Sequence, residues 1–175
     1  IFMNSKGLIQ VYTGNGKGKT TAAVGLSIRA AQAGKKVFFA QFVKAKKYNE
    51  AEFFETSVKN IDTERFGKDC FIFKKPEKED KEAAQKGFKK IKDIILSGKY
   101  NLVILDELNI ALHYELLSLK EFIRLLKNKN EKTEIVITGR YAKQELIDIA
   151  DLVTEMKEIK HYYQKGVEAR EGFEF

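Results

Sequence analysis

Only one cysteine and two histidines occur in the 175 residues, and there is no tryptophan. A lone Cys70 forms no internal disulfide, so the fold rests on its own core, as suits a reducing compartment. Such a thiol reads as a small packing residue. His113 and His161 are too few and too isolated to build a zinc site, and neither is assigned a catalytic role. Long apolar runs are also missing: they stop at about four residues, as at 102–105, far short of the ~20 of a membrane-spanning helix. No charged-then-apolar leader precedes the first strand, and Ile1 and Phe2 ahead of Met3 are given no function. These absences predict a cytoplasmic protein with no membrane association.

What is present suits one globular domain spanning residues 1–175: 43% hydrophobic and 33% charged residues, with no repeat, linker or low-complexity segment. A chain of this length buries roughly two-thirds of the surface it exposes unfolded.

Residues 7–13 alternate, carry β-branched side chains and run into glycines, which reads as a strand entering a tight loop. The loop is Gly14-Asn15-Gly16-Lys17-Gly18-Lys19-Thr20, and a helix with Val24, Leu26 and Ile28 as buried positions follows from Thr20 to Ala33, closed by Gly34. Strand, glycine-rich turn and Gly-Lys-Thr opening a helix form a phosphate loop. Its backbone N–H groups and helix N-terminus surround phosphate oxygens, Lys19 neutralises the terminal phosphates, and Thr20 offers a hydroxyl to Mg²⁺. The strict pattern places a glycine where Thr13 stands, so this is a variant loop with an additional Lys17.

Downstream, residues 37–42 read as a second, mostly apolar strand. Pro76, Glu77, Glu79 and Asp80 open a helix whose stripe is Ala84, Phe88, Ile91 and Ile95, ended by Gly98. Residues 102–105 form a core strand ending in Asp106-Glu107, and Ser118 with Glu121 is a capping box before a helix carrying Phe122, Leu125 and Leu126. Strands follow at 135–138 and 152–156, with a short helix at 144–150 between them. The alternation predicts an α/β, three-layer P-loop NTPase fold of the RecA-like kind, with a mostly parallel sheet, helices on both faces and right-handed crossovers.

Two further groups end strands on the edge where open α/β sheets bind ligands. Asp106-Glu107 has the position of a second magnesium motif, with the choice of acid open and helix capping as the plain alternative. Thr138-Gly139-Arg140 brings an arginine that contacts a phosphate, a partner subunit or merely a surface acid. Phe71-Ile72-Phe73 places two aromatics on one face if extended, which on its own reads as core packing. The net charge of +7 invites nucleic acid. Yet lysines and acids interleave from 74 to 92, and the acid-free basic stretch, Lys35-Lys36 to Lys44-Lys46-Lys47, serves an anionic small molecule equally well.

Together these residues resemble the P-loop ATP:corrinoid adenosyltransferases, which make adenosylcobalamin from ATP and cob(I)alamin or cobinamide. The resemblance runs from residues 7–22 with the missing first glycine, through 37–44, 105–107 and 136–140, to Ala150-Asp151-Leu152-Val153-Thr154-Glu155-Met156 and Lys160-His161. It implies that cobalt(I) attacks the ribose 5′ carbon and that inorganic triphosphate leaves whole. ATP would lie along Gly14, Asn15, Gly16, Lys17, Gly18, Lys19, Thr20 and Thr21 with Arg140 nearby. Lys19 and Glu107 would carry the chemistry, and Thr20 and Glu107 would neighbour Mg²⁺. The resemblance also implies that Phe71 and Phe73 displace the corrinoid's lower axial ligand, Phe73 standing where the family pattern has tryptophan. It further implies a homodimer and an electron supply from reduced flavodoxin or flavin.

Two other readings use the same motifs. A nucleic-acid-stimulated ATPase of the recombinase or helicase kind would use Glu107 to activate water and Arg140 to stabilise charge, but there is no second motor half and no aromatic-basic platform for bases. A nucleotide-gated regulatory module would bind ATP tightly without turnover.

Overall fold

The structure is a computed structural model that describes residues 6–43, 49–66 and 78–174. Phe71, Phe73, Cys70, Pro76 and the lysines at 44, 46 and 47 lie outside the described residues.

Among the described residues six strands form one sheet: β1 (Ile9–Thr13), β2 (Val37–Phe42), β3 (Ile61–Phe66), β4 (Leu102–Asp106), β5 (Glu134–Thr138) and β6 (Leu152–Glu155), in the order β3-β2-β4-β5-β1-β6. Every pairing is parallel. The helices are α1 (Lys19–Gln32), α2 (Asn49–Ser57), α3 (Lys78–Ser97), α4 (Leu108–His113), α5 (Leu119–Lys127) and α6 (Gln144–Ile149), and a 3₁₀ turn covers Tyr162–Lys165.

The alternation of side chains along β2 makes the layers visible. Val37 and Phe39 join Ala23 and Ala31 of α1 and Phe54 of α2, whereas Phe38, Ala40 and Phe42 join Ile91 and Ile95 of α3, Phe122 of α5 and Leu146 of α6. A parallel strand covered on both faces is nearly continuous in apolar residues, and β2 is buried at all six positions with Gln41 its one polar residue. This is the three-layer α/β arrangement of a P-loop NTPase.

Helix α1 departs from the expected packing. Its buried positions are Lys19, Ala23, Ser27 and Ala31, while Ile28 is 42% exposed. The small residues recur every fourth position and let the helix lie close on the sheet, and Ser27 satisfies its hydroxyl by donating to the Ala23 carbonyl at 2.8 Å. Gly34, at φ 75°, closes the helix as expected, with its N–H donating to Ala31 O. Ser118 accepts from Glu121 N at the start of α5.

Strand β3 and helices α2 and α4 were not expected. Within β3, Ile61 is the one buried position, and Asp62-Thr63-Glu64-Arg65 carries the polarity of a sheet edge. The opposite edge, β6, is exposed at all four residues although Leu152 and Val153 are apolar.

The register places Tyr12 opposite Thr138, Leu105 opposite Ile137, and Gln41 opposite Asp106. The ends of β1, β2, β4 and β5 therefore reach one edge together.

Candidate active site

The phosphate loop is shaped by what crosses it. Gly14 and Gly18 have φ of 95° and 118°, a region open to glycine at little cost. Gly16 N donates to the Met156 carbonyl at 2.6 Å. A Cβ on Gly14 or Gly16 would stand 2.5 or 2.7 Å from that same oxygen, so the chain leaving β6 allows only glycine here. Thr13, at the position of the absent glycine, accepts a hydrogen bond from Ala142 N at 3.4 Å, which ties the start of the loop to the segment after Arg140.

Lys19 opens α1 and is buried, with its ammonium donating to Gly14 O and Gly16 O at 2.7 Å each. Burial lowers its pKa; Glu107 opposes that shift, Arg140 reinforces it and Asp106 opposes it. Thr20, next along α1, donates to Asp106 Oδ1 at 2.9 Å. Thr138, from the end of β5, donates to the same oxygen at 2.6 Å. Asp106 is fully buried, and these charge-assisted bonds offset part of the cost of burying it.

Glu107 stands beside Asp106 in a left-handed conformation, φ 59°, with its N–H donating to Thr138 Oγ1 at 3.0 Å. Gly139, at φ 124°, allows this approach, since a Cβ there would lie 3.1 Å from Glu107 Oε2. Asn109 fastens the same corner by donating to Gly139 O at 2.9 Å. Val43, Glu107 and Tyr141 all have positive φ and all line one cavity, a concentration of backbone strain expected of a working site.

That cavity measures about 800 Å³ and contains Gly16 to Thr21 on one side and Glu107, Arg140 and Tyr141 on another. Its volume is in the range of small-molecule sites. Tyr114 and Ile110 add an apolar wall, and the His113 ring packs on Tyr141 with centroids 4.4 Å apart. Of the residues picked from the sequence, Gly16, Lys17, Gly18, Lys19, Thr20, Thr21, Glu107 and Arg140 thus meet, Gly14 holds Lys19 through its carbonyl, and Asn15 is exposed. Phe71 and Phe73 lie outside the described residues.

The sequence names Asp106-Glu107 as an acid pair with the choice open, the resemblance assigns the magnesium role to Glu107 alone, and neither anticipates Tyr114, Tyr141 or the contribution of residues 172–174. Asp106 was signalled by its place as the last residue of an apolar strand; the others had no signal, because they arrive through loops. Lys17 has a different position from Lys19. Its ammonium donates to Tyr162 OH at 2.9 Å, to Phe173 O at 2.6 Å and to Glu174 Oε1 at 2.5 Å.

The donor set fits a magnesium ion carried by a nucleotide. Thr20 and Asp106 bring a hydroxyl and a carboxylate together with Glu107 close by, all hard oxygen donors. Among the described residues no cluster of three or more His, Cys, Asp and Glu side chains forms a cage for a metal alone. Mg²⁺ commonly takes one or two carboxylates and completes its shell with phosphates and water.

Residues 5–175 match the model of the ATP:corrinoid adenosyltransferase BtuR/CobO/CobP family. A corrinoid adenosyltransferase of Sinorhizobium sp is 39% identical, covering 98% of this chain and 82% of the relative. Corrinoid adenosyltransferase CobA of Salmonella typhimurium (strain LT2) is 35% identical over 97% and 86%. The corrinoid adenosyltransferase of Escherichia coli (strain K12) is 33% identical over 98% and 87%. Among solved structures, domain III of the Thermotoga maritima replication initiation protein DnaA overlays with a TM-score of 0.47 at 11% identity, covering 89% of this chain and 56% of that one, a likeness too distant to bear on function. With a phosphate loop, Glu107 and an arginine on one cavity, and with a family match over nearly its whole length, the chain belongs to the corrinoid adenosyltransferase family and is an enzyme of that family.

Proposed function

We propose that this enzyme transfers the 5′-deoxyadenosyl group of ATP to the cobalt of cob(I)alamin or a cobinamide, with inorganic triphosphate as the second product. The observation that carries the reading is the convergence of Lys19, Thr20, Glu107 and Arg140 on one cavity, with Asp106 buried behind Thr20 and hydrogen-bonded to it. These groups bind and neutralise an oligophosphate.

In this reaction cobalt(I) supplies the electron pair, a Co–C bond forms at the ribose 5′ carbon, and the C–O bond to the triphosphate breaks with its electrons leaving on oxygen. No side chain has to act as nucleophile or base, since the corrinoid brings its own reactivity. The protein's work is to stabilise negative charge growing on the leaving group and to fix the 5′ carbon in line. The loop N–H groups and Lys19 meet that charge, and Thr20 with Asp106 and Glu107 would hold Mg²⁺. When bound, the ion supplies further positive charge to the phosphate oxygens.

The remaining parts of the reading are a homodimer in the cytoplasm, an electron from reduced flavodoxin or flavin, and displacement of the lower axial ligand by Phe71 and Phe73. An anaerobic mixture of the protein with ATP, Mg²⁺ and chemically reduced cob(I)alamin should form a light-sensitive alkylcobalamin spectrum. An unchanged corrinoid spectrum under those conditions would reject the transfer. Phe73→Ala should slow the reaction with cob(II)alamin plus a reductant more than with cob(I)alamin; equal losses would remove the axial-ligand role.

A further inference from the structure

The phosphate loop carries one lysine more than its chemistry uses. Lys19 already lies inside the loop, while Lys17 makes three hydrogen bonds to residues 162–174. Among the described residues the hydrogen bonds between the loop and that segment run through Lys17.

The segment is built to be held. The 3₁₀ turn is closed by Gly166, φ 80°, and the Arg170 guanidinium lies over two rings, 5.1 Å from the Tyr162 centroid and 4.7 Å from that of Phe173. Glu174 gathers Lys17, the Tyr162 hydroxyl and Arg170 N, the last at 2.7 Å. Hydrogen bonds from Lys17 first, then from Tyr162 and Arg170, hold the Glu174 carboxyl well below the usual carboxylate range. Its side chain is 16% exposed against 40% for Lys17. Gly172, Phe173 and Glu174 in turn line the same cavity as Gly16 to Thr21.

A carboxylate beside a triphosphate is repulsive unless a cation neutralises it. Lys17 supplies that cation, which explains why an additional lysine accompanies an acid at this wall. We propose that Lys17 is a positioning residue: it docks residues 161–174 on the phosphate loop through Glu174, and the docked segment completes the wall that retains the nucleotide. This rests on the loop being the ATP site.

The test is calorimetric titration of MgATP into the full chain and into Lys17→Met, Glu174→Gln, the double variant and Lys17→Arg, with steady-state rates and limited trypsin digestion alongside. Each of the first two single changes should weaken MgATP binding about 5- to 10-fold. The loss should fall more on KM for ATP than on kcat. The double variant should be no weaker than the worse single one, because both single changes break the same Lys17–Glu174 pair, and Lys17→Arg should recover most of the affinity.

Trypsin should cut after Arg170 faster in both single variants, with or without nucleotide. A weakened Lys17→Met beside a Glu174→Gln that binds MgATP as well as or better than the parent would overturn the proposal and make Lys17 a direct phosphate ligand. Additive losses, or unchanged digestion, would overturn it too. Failure of the underlying site reading is separately visible, because the parent itself would then take up no MgATP.

Discussion

Lys19 spends its three donor positions economically: two loop carbonyls at 2.7 Å hold it in place, and burial makes its charge easier to lose. A lysine in such a setting is poised for an anion, whose arrival restores a reason to stay protonated. Lys19→Ala should therefore lower turnover by about 100-fold or more, in line with the loss of one well-placed charge at a transition state. Activity within a few-fold of the parent would remove the phosphate-loop mechanism. The sign of its pH response follows as well. Binding of ATP needs the protonated amine, and its pKa is lowered from the ordinary 10.5, so affinity should begin to fall with rising pH below that value. A titration of MgATP affinity between neutral and alkaline pH checks it, and an affinity flat up to 10.5 would contradict it.

The acid pair is where residue identity mattered most. Both acids were visible at the end of an apolar run, but only the pairing of β4 with β5 brings Thr138 to Asp106, and only the loop geometry brings Thr20 there. Asp106→Asn keeps the shape and can still accept from both hydroxyls, yet removes the charge. It should raise the Mg²⁺ concentration for half-maximal rate by about tenfold or more. An unchanged magnesium requirement would mean that Asp106 only orients Thr20.

At the scale of elements, close approaches set the packing. Gly87 on α3 lies against Phe66 at the end of β3, and a Cβ there would meet the ring at 2.5 Å. Alanine would gain roughly 1 kcal/mol of helix propensity. The clash costs more, because overpacking displaces a ring that also packs on Phe42 at 5.4 Å. Gly87→Ala should lower the denaturation midpoint by about 1–2 kcal/mol of stability, and a rise in the midpoint would show that Phe66 moves aside freely.

Legibility in the sequence followed the same line. Strands β2, β4 and β5 were readable because burial on both faces imposes nearly continuous apolar runs, and α3 and α5 because each leaves one face to solvent. Strand β3 was not, since an edge strand with Asp62, Glu64 and Arg65 need not be apolar. Helix α4 was too short to show a period, at six residues. Small Ala23, Ser27 and Ala31 do the burying in α1, whereas the larger Ile28 drew the eye to the wrong face.

On the scale of the whole molecule, the sheet order brings β1, β4 and β5 side by side, and that adjacency is the site. The phosphate loop follows β1, the acids end β4, and Thr138-Gly139-Arg140 ends β5, while α1 and the segment at 172–174 add to the same cavity. The motifs foretold these three corners. They did not foretell the tail, because Lys17 and Glu174 stand 157 residues apart and nothing in their spacing says that they meet. MgATP, if it binds the folded state alone, should raise the melting temperature in step with its concentration, by the equivalent of about 2.7 kcal/mol at 100 times its Kd.

The central claim is that this phosphate loop grips a triphosphate in order to release it whole. The most direct measurement is phosphorus-31 NMR of the products after anaerobic reaction of ATP and Mg²⁺ with cob(I)alamin. Inorganic triphosphate in equal amount to the adenosylated corrinoid is the predicted result. Orthophosphate appearing at the same rate with or without corrinoid would contradict the account and mark the protein as an ATPase.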